Sequence, residues 1–215
     1  MDNAAEKRVL NRFVVLEGID GAGTTTQLNR LCEALTKAGI PHWITCEPTT
    51  RPEGALIRRI LGGELPAHPG TVAHLFAADR HEHLYGAGGI VEHLDAGDIV
   101  ISDRYVFSSL AYQGATCGFD LPAKLNAEFP LPGLTLFFDV DPSLSMARLT
   151  SRTHLEIYEK QSFQEKVADC YEEALATFAC EGSSVARIDA SRAPAAVTAQ
   201  VLEAVGNSLG IRLSL

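Results

Sequence analysis

The stretch that most restricts the fold lies between residues 13 and 27, which read FVVLEGIDGAGTTTQ. An apolar run is followed at once by a glycine-rich turn and then by an amphipathic helix pattern. Gly18 and Gly23 occupy the glycine positions of the phosphate-binding pattern G-x-x-x-x-G-K-[ST], and Thr25 occupies its hydroxyl position. A strand, a glycine turn and a helix in this order direct backbone N–H groups at one point, which binds anions. The residues predicted to bind nucleotide phosphates are Gly18, Gly21, Ala22, Gly23, Thr24, Thr25 and Thr26.

One position departs from that pattern. Thr24 stands where the pattern has a lysine, whose charge contacts the β- and γ-phosphates of a bound nucleotide. The backbone cradle and the hydroxyl of Thr25 remain, but the positive charge is missing. The sequence therefore leaves two interpretations open: a nucleotide kinase that works without this lysine, or a protein that has kept the loop and lost the chemistry.

Apolar runs alternate with helical patterns along the chain, and this alternation is typical of parallel strands joined by crossover helices. Strands are predicted at 13–17, 42–47, 98–102, 134–140 and 185–190. Helices are predicted at 26–39, about 70–94, 163–180 and 193–208, with a threatened break at Gly86, Gly88 and Gly89. Because no repeat or linker interrupts residues 1–215, we expect one α/β domain with a five-stranded parallel sheet flanked by helices.

The charge balance and the cysteine pattern exclude several classes of protein. With 18 basic and 27 acidic side chains the formal net charge is −9, which argues against a nucleic acid polymer as partner. The five cysteines are widely spaced and form no C-x-x-C pair, so we expect reduced, mostly buried thiols. No apolar run approaches the roughly 18 residues that span a bilayer, and the N-terminus lacks a signal-peptide pattern. We expect a cytoplasmic protein that does not bind membranes.

Polar residues follow the second and third predicted strands. The segments 47–49 (EPT) and 103–105 (DRY) should therefore meet the glycine loop at the edge of the sheet where open α/β proteins bind ligands. Asp103 is in the expected place for a carboxylate that holds magnesium beside a phosphate loop. We predict a magnesium site at Thr25 and Asp103. The histidines at 74, 81 and 83 lack the partners of a metal site and are interpreted as helix surface.

Four segments together resemble the thymidylate kinase family. They are the opening strand and loop, EPT at 47–49, LFAADRHEHL at 75–84 and DRYVFSSLAYQG at 103–114, in the family's order and spacing. The resemblance extends from Phe13 to about Ala204. It implies a P-loop NTPase-type three-layer sandwich that transfers a phosphoryl group from ATP to dTMP, with Mg2+, giving ADP and dTDP. It also implies a homodimer built on the long helix near LFAADR.

The resemblance further implies roles in an acceptor site. Asp20 would contact the 3′-hydroxyl of the acceptor sugar, and Phe76 would stack on thymine. Arg80 would donate to a thymine carbonyl, while Arg104 would bind the acceptor phosphate. Tyr112 would disfavour a ribose 2′-hydroxyl and so favour deoxynucleotides. The substrate-binding residues implied in this way are Asp20, Pro48, Phe76, Arg80, Arg104, Ser109, Tyr112 and Gln113.

The second departure from the family lies in the lid, expected at about 148–162. Family members with this type of loop usually carry R-x-x-x-D-R-x-E there. Arg148, Arg152 and Glu159 match that pattern, but Glu156 and Ile157 stand in place of Asp-Arg. By analogy with the loss of one preorganised donor, each missing cation costs roughly 3–4 kcal/mol of transition-state stabilisation. The residues expected to act in catalysis are Asp20, Arg104, Arg148 and Arg152, with Arg12 and Arg51 as further candidates to replace the missing charge.

Two functional alternatives stay open at this point. One is a catalytically weak nucleotide-binding protein that acts as a sensor or partner, which would retain the same acceptor site. The other is a kinase of another deoxynucleoside monophosphate, which Phe76 and Arg80 disfavour. For single residues the structural alternatives are Phe76 as plain core and Arg80 paired with Asp79 or Glu82 on an exposed helix face.

Overall fold

A parallel sheet of five strands forms the centre of the protein, in a computed structural model that describes residues 8–149, 161–178 and 182–214. The strand order is β2-β3-β1-β4-β5, and all four strand pairs are parallel. The predicted five-stranded parallel sheet is therefore confirmed. The strands are β1 (Val9–Gly18), β2 (His42–Cys46), β3 (Ile99–Asp103), β4 (Leu131–Asp139) and β5 (Ser184–Asp189).

Helices cover the sheet and make a three-layer α/β sandwich of the P-loop NTPase type. The N-terminal helices are α1 (Thr24–Lys37), α2 (Pro52–Leu61), α3 (Pro69–Tyr85) and α4 (Ile90–Asp95). The middle of the chain holds α5 (Val106–Ser108), a π-helical turn (Ser109–Gln113), α6 (Gly114–Cys117) and α7 (Asp120–Asn126). The C-terminal helices are α8 (Pro142–Leu149), α9 (Gln161–Phe178) and α10 (Pro194–Leu209). Helices α1 and α10 pack against each other, and α9 packs against the π-helical turn.

The central strand β1 explains why this sheet needs helices on both faces. Phe13, Val14, Val15 and Leu16 are all fully buried, so no polar alternation is present in this run. Strands buried on both faces read as continuous apolar runs, as in parallel sheets covered by helices. The strand starts earlier than predicted, at Val9, because an irregularity in its pairing with β4 lets the polar residues before Phe13 continue the strand.

The predicted helix over about 70–94 is divided in two at its glycines. Helix α3 ends at Tyr85 and α4 begins at Ile90. Gly88 has φ +66°, and a Cβ atom on Gly89 would lie 2.6 Å from the carbonyl oxygen of His83. Both positions therefore require glycine, and the threatened break is confirmed.

Two further expectations concern membranes and thiols. None of the helices in the described part of the chain is long and apolar enough to cross a membrane. Cys32, Cys46, Cys117 and Cys170 are free thiols, but only Cys32 among them is buried, so the expectation of mostly buried cysteines is wrong for the described residues. Cys180 lies outside those residues. Burial raises the pKa of the Cys32 thiol to about 11, so it stays protonated at neutral pH.

Candidate active site

Three neighbouring strands bring the predicted site together at one edge of the sheet. In the parallel register Asp103 of β3 lies opposite Leu16 of β1 on one side and Cys46 of β2 on the other. The glycine loop after β1, the EPT segment after β2 and the DRY segment after β3 are therefore side by side. This is the edge at which open α/β sheets bind ligands.

The glycine loop leads directly into the N-terminus of α1. Gly21 and Gly23 have φ +82° and +94°, a region in which only glycine is comfortable, and Gly23 is the residue that precedes the helix. The first N–H groups of an α-helix have no intrahelical partner, and Gly23 has no side chain to cap them. A Cβ on Gly21 would lie 2.5 Å from the carbonyl oxygen of Ser145, so α8 packs directly on the loop. A glycine loop that leads into a helix N-terminus in this way favours the binding of anions.

The predicted metal residues lie beside the glycine loop. Thr25 Oγ1 donates to Asp103 Oδ2 at 3.4 Å. The other carboxylate oxygen, Asp103 Oδ1, is buried and has no hydrogen-bond partner among the residues that the structure describes. Over those same residues no cluster of three or more His, Cys, Asp or Glu side chains is present. One hydroxyl and one carboxylate suit Mg2+, which usually takes its remaining ligands from phosphates and water.

Arg104 is held in a strained backbone conformation next to the loop. Its φ is +75°, the only positive value at a non-glycine residue in the described ranges. The guanidinium is fixed by Asp20 Oδ1 at 2.5 Å and by the carbonyl oxygen of Gly18 at 3.2 Å. It also lies 4.9 Å from the centre of the Tyr112 ring. A strained backbone conformation is retained where several surrounding contacts hold the residue in place, and such residues are common at functional sites.

Asp20 has a second partner that no local sequence pattern indicates. Gln164 Nε2 donates to Asp20 Oδ2 at 2.9 Å, and the backbone N–H of Asp20 donates to Gln164 Oε1 at 3.2 Å. Gln164 is fully buried in α9, close after the segment 150–160 that lies outside the described residues. Because 144 residues separate the two partners, only the fold brings them together.

A cavity of about 270 Å³ opens beside Arg104 at the ends of β1, β2 and β3. Its wall contains every residue that the sequence predicted for the acceptor site, together with Asp103. Phe76 is only partly buried, so the alternative that it is plain core is wrong. The predicted residues that line this cavity are Asp20, Pro48, Phe76, Arg80, Arg104, Ser109, Tyr112 and Gln113.

At one end of the cavity Arg80 is 1% exposed. Its Nη2 donates to Glu47 Oε2 at 2.5 Å, to the carbonyl oxygen of Tyr105 at 2.9 Å and to Ser109 Oγ at 3.0 Å. Its Nη1 donates to Asn126 Oδ1. The alternative of an exposed Arg80 paired along its own helix is therefore wrong. In the described chain, Arg80 Nε has no hydrogen-bond partner.

His83 corrects another expectation from the sequence. It was interpreted as helix surface, like His74 and His81, which are indeed exposed. His83 is instead 2% exposed, with Nδ1 3.0 Å from Glu47 Oε1 and Nε2 2.6 Å from Thr45 Oγ1. The helix turns His83 toward the sheet because it is three residues after the buried Arg80.

Sequence reasoning missed several residues of the cavity wall. Glu47 was recognised only as part of the EPT segment, and Arg58 was missed because α2 was not predicted. Arg58 donates to the carbonyl oxygen of Pro48 and lies 3.7 Å from Cys46 Sγ. The apolar residues of α2 at Ile57, Ile60 and Leu61 were the available signal for this helix. The missed lining residues are Cys46, Glu47, Arg58, Leu61, Tyr105 and Ser108.

The candidates to replace the lysine charge differ in position. Arg148 is in the last turn of α8, the helix that packs on the loop, and its Nη2 donates to the carbonyl oxygen of Ala190 at 2.9 Å. Arg12 is six residues, or about 20 Å of strand, before Gly18, so its candidacy is wrong.

Arg51 pairs with Glu82 at 3.1 Å and donates to the carbonyl oxygen of Ala87 at 2.7 Å. Both terminal nitrogens of its guanidinium therefore make structural contacts. The lid predictions at Arg152, Glu156, Ile157 and Glu159 lie outside the described residues.

The parallel sheet, the glycine loop at a helix N-terminus and the adjoining cavity define a nucleotide-binding protein of the P-loop class. The family model for thymidylate kinase matches residues 16–201. A putative thymidylate kinase from Treponema pallidum is 47% identical over 165 residues, covering 76% of this chain and 79% of the relative. A probable thymidylate kinase from Pyrobaculum aerophilum is 42% identical over 196 residues, covering 90% and 95%. A putative thymidylate kinase from Aeropyrum pernix is 34% identical over 207 residues, covering 93% and 98%. The chain belongs to the thymidylate kinase family, a family of nucleoside monophosphate kinases.

Proposed function

We propose that this protein is a magnesium-dependent thymidylate kinase that transfers the γ-phosphoryl group of ATP to dTMP and yields ADP and dTDP. The observation that carries the proposal is the convergence of all the predicted acceptor residues on one cavity beside the phosphate loop. These residues come from five separate parts of the chain. Membership of the family supports the same reaction.

The acceptor side of the mechanism uses groups that are already fixed. Phe76, partly buried at the cavity wall, stacks on the base, and Arg80 donates to its carbonyl. Arg104 binds the acceptor phosphate, because a guanidinium offers several N–H donors to an oxyanion. Asp20, held by Arg104 and Gln164, accepts from the sugar 3′-hydroxyl. Tyr112, under the Arg104 guanidinium, leaves no room for a 2′-hydroxyl.

The donor side depends on the glycine loop and the start of α1. The N–H groups there bind the β- and γ-phosphates of ATP, since they lack partners within the helix. Thr25 and Asp103 would hold Mg2+. When bound, Mg2+ neutralises charge that develops on the phosphates. Phosphoryl transfer relies on such positioning and charge stabilisation more than on covalent chemistry.

The charge that Thr24 lacks comes from α8 and the lid in this proposal. Arg148 is in the last turn of α8, and the Ser145 carbonyl of the same helix packs against the loop at Gly21. Helix α8 therefore places Arg148 on the side of the site where the phosphates bind. Arg152 follows four residues later in the sequence. Together they replace the lysine and the missing lid arginine.

The organisation of the whole chain belongs to the same proposal. Residues 1–215 form one kinase domain with a lid at about 148–162. Two copies associate through the α2–α3 pair, where the large apolar side chains Leu56 and Tyr85 are 36% and 50% exposed. Light scattering after size-exclusion chromatography measures the mass, and a monomer at micromolar concentration contradicts this association.

One observation favours a second candidate, a protein that binds nucleotides with little turnover. Thr24 stands in place of the loop lysine, and Glu156 and Ile157 stand in place of the usual lid Asp-Arg. All the predicted acceptor residues nevertheless line the cavity. A kinase of another deoxynucleotide is less favoured, since Phe76 and Arg80 both remain at the base end of the cavity.

A coupled assay of the purified protein with dTMP and Mg-ATP separates these candidates. The panel includes dUMP, dCMP and dGMP as alternative acceptors and the Thr24→Lys variant as a second enzyme. Turnover of dTMP above the other acceptors supports the proposal. Binding of dTMP without turnover by the natural protein sinks it in favour of the second candidate. In that case, rescue by Thr24→Lys identifies the loop as the defect.

A further inference from the structure

The charge of Arg80 is buried with one carboxylate as its counter-ion. The side chains of Arg80 and Glu47 are 1% and 2% exposed, and their closest atoms are 2.5 Å apart. A fully buried guanidinium depends on such a partner, because water does not solvate it. The neutral acceptors around Arg80 come from Tyr105, two residues after β3, from the π-helical turn and from α7, so four parts of the chain, including that of Glu47, fix one side chain.

Glu47 is itself fixed by a different partner on each oxygen. Oε2 accepts from Arg80, and Oε1 lies 3.0 Å from His83 Nδ1. Because an ionised carboxylate only accepts hydrogen bonds, His83 carries its proton on Nδ1. On the other side of the ring, His83 Nε2 lies 2.6 Å from the Thr45 hydroxyl. Hydrogen bonds therefore connect Thr45, His83 and Glu47 in one chain.

We propose that Glu47, oriented by His83, is the positioning residue that fixes Arg80 at the base end of the acceptor cavity and sets the preference for a base with a carbonyl at C4. This inference rests on the proposed function and names the side chains behind its specificity. Arg80 has only donors, so it pairs with a carbonyl and opposes an amino group at the same point. If the Arg80 guanidinium is held in place, its donors repel an amino group at C4 of the base. If it were loosely held, it could move away, and the site would accept a base with either a carbonyl or an amino group.

The test compares dTMP with dCMP in the natural protein and in the Glu47→Gln variant. Glutamine keeps the shape and one acceptor for Arg80 but removes the charge. We expect the ratio of kcat/KM for dTMP to kcat/KM for dCMP to fall about tenfold or more. The loss should lie in KM for dTMP, with kcat within about threefold. Glu64→Gln is the matched control, since it breaks an exposed pair with Arg59 of 3.0 Å, and it should leave the ratio unchanged.

A pair of His83 variants keeps the inference testable if Glu47→Gln does not fold. His83→Gln preserves a donor to Glu47 and an acceptor for Thr45, whereas His83→Leu removes both. We expect His83→Gln to restore the discrimination that His83→Leu loses. Folded variants that keep the natural dTMP/dCMP ratio overturn the inference.

The same comparison also separates this inference from the proposed function. If the natural protein turns over neither nucleotide, the proposed function has failed. The inference is then decided by calorimetric titration with dTMP and dCMP, where equal loss of both affinities in Glu47→Gln contradicts it.

Discussion

Of the two arginines proposed to replace the loop lysine, Arg148 is the one within the described residues, in the last turn of α8. We expect Arg148→Ala to lower kcat by about 10²–10³, because one preorganised charge at such a site is worth roughly 3–4 kcal/mol. KM for dTMP should change little, since Arg148 is on α8 at the phosphate loop rather than at the base end. Steady-state kinetics with saturating ATP measures both constants. Arg12→Ala is the matched control, and full activity in Arg148→Ala contradicts the assignment.

Phe76 has a partly buried ring in the wall of the acceptor cavity. Replacing Phe76 with alanine removes a stacking surface worth about 1–3 kcal/mol per base. We therefore expect KM for dTMP to rise between roughly fivefold and 150-fold with kcat nearly unchanged. A Phe76→Tyr variant should stay close to the natural protein. An equal fall in kcat would show that the ring acts in the transition state instead.

At the scale of elements, the contact between the glycine loop and α8 is open to a paired test. Gly21 and Gly23 both have positive φ, but only at Gly21 would a Cβ meet another element, 2.5 Å from the Ser145 carbonyl. Gly23→Ala should cost about 1–2 kcal/mol from backbone strain alone. Gly21→Ala should cost clearly more, lowering the melting temperature by a further ~2–4 °C for each additional kcal/mol. Equal melting temperatures for Gly21→Ala and Gly23→Ala would mean that α8 moves away from the added methyl group without loss of stability, which contradicts the prediction.

The elements that sequence predicted best are those with a strong local pattern. Strand β1 carries a continuous apolar run and helix α1 an apolar periodicity, and glycines mark their ends, so their positions follow from nearby residues. The segment Val106–Cys117 was missed as helix because its residues are mostly buried all round, and a buried helix shows no amphipathic period. Helix α2 was missed although its apolar spacing was present.

The candidate site was predictable where it lies at strand ends and unpredictable where it depends on distant pairs. Asp103 is the last residue of β3 and Arg104 follows it directly, and a position at the carboxyl end of a strand alone favours ligand binding. Gln164 meets Asp20 across 144 residues, and no local pattern encodes such a pairing. His83 was misjudged for the same reason, since its burial depends on Glu47 from another strand.

At the scale of the whole molecule, Glu17 joins β1 to α5 and α9. Its carboxylate accepts from Ser108 Oγ at 2.5 Å and from Tyr171 OH at 3.0 Å. Burial raises the pKa of Glu17 above its ordinary value of 4.5, although hydrogen bonds from Ser108 and Tyr171 and the charge of Arg104 oppose this. The neutral form is therefore favoured by folding. Its stabilising contribution is complete below pH 4.5 and is lost as the pH rises through the folded pKa.

Urea unfolding over a pH series tests this linkage. The free energy of unfolding of Glu17→Gln, compared with the natural protein, should lack a component that changes by at most about 1.4 kcal/mol per pH unit between the two pKa values. Glu33→Gln, at an exposed position of α1, should leave the profile unchanged. Parallel profiles for the natural protein and Glu17→Gln contradict the prediction.

The buried network of Arg80, Glu47 and His83 has a consequence for how this protein changes over generations. Loss of one charged member leaves its partner buried and unpaired, at about 3–5 kcal/mol, which is a large part of the total stability of a typical domain. We expect the three positions to be inherited as a unit, because a lineage that alters one passes through a poorly folded ancestor. Evolutionary changes in base preference should instead begin at an uncharged residue of the cavity wall such as Gln113, because its replacement leaves no buried charge without a partner.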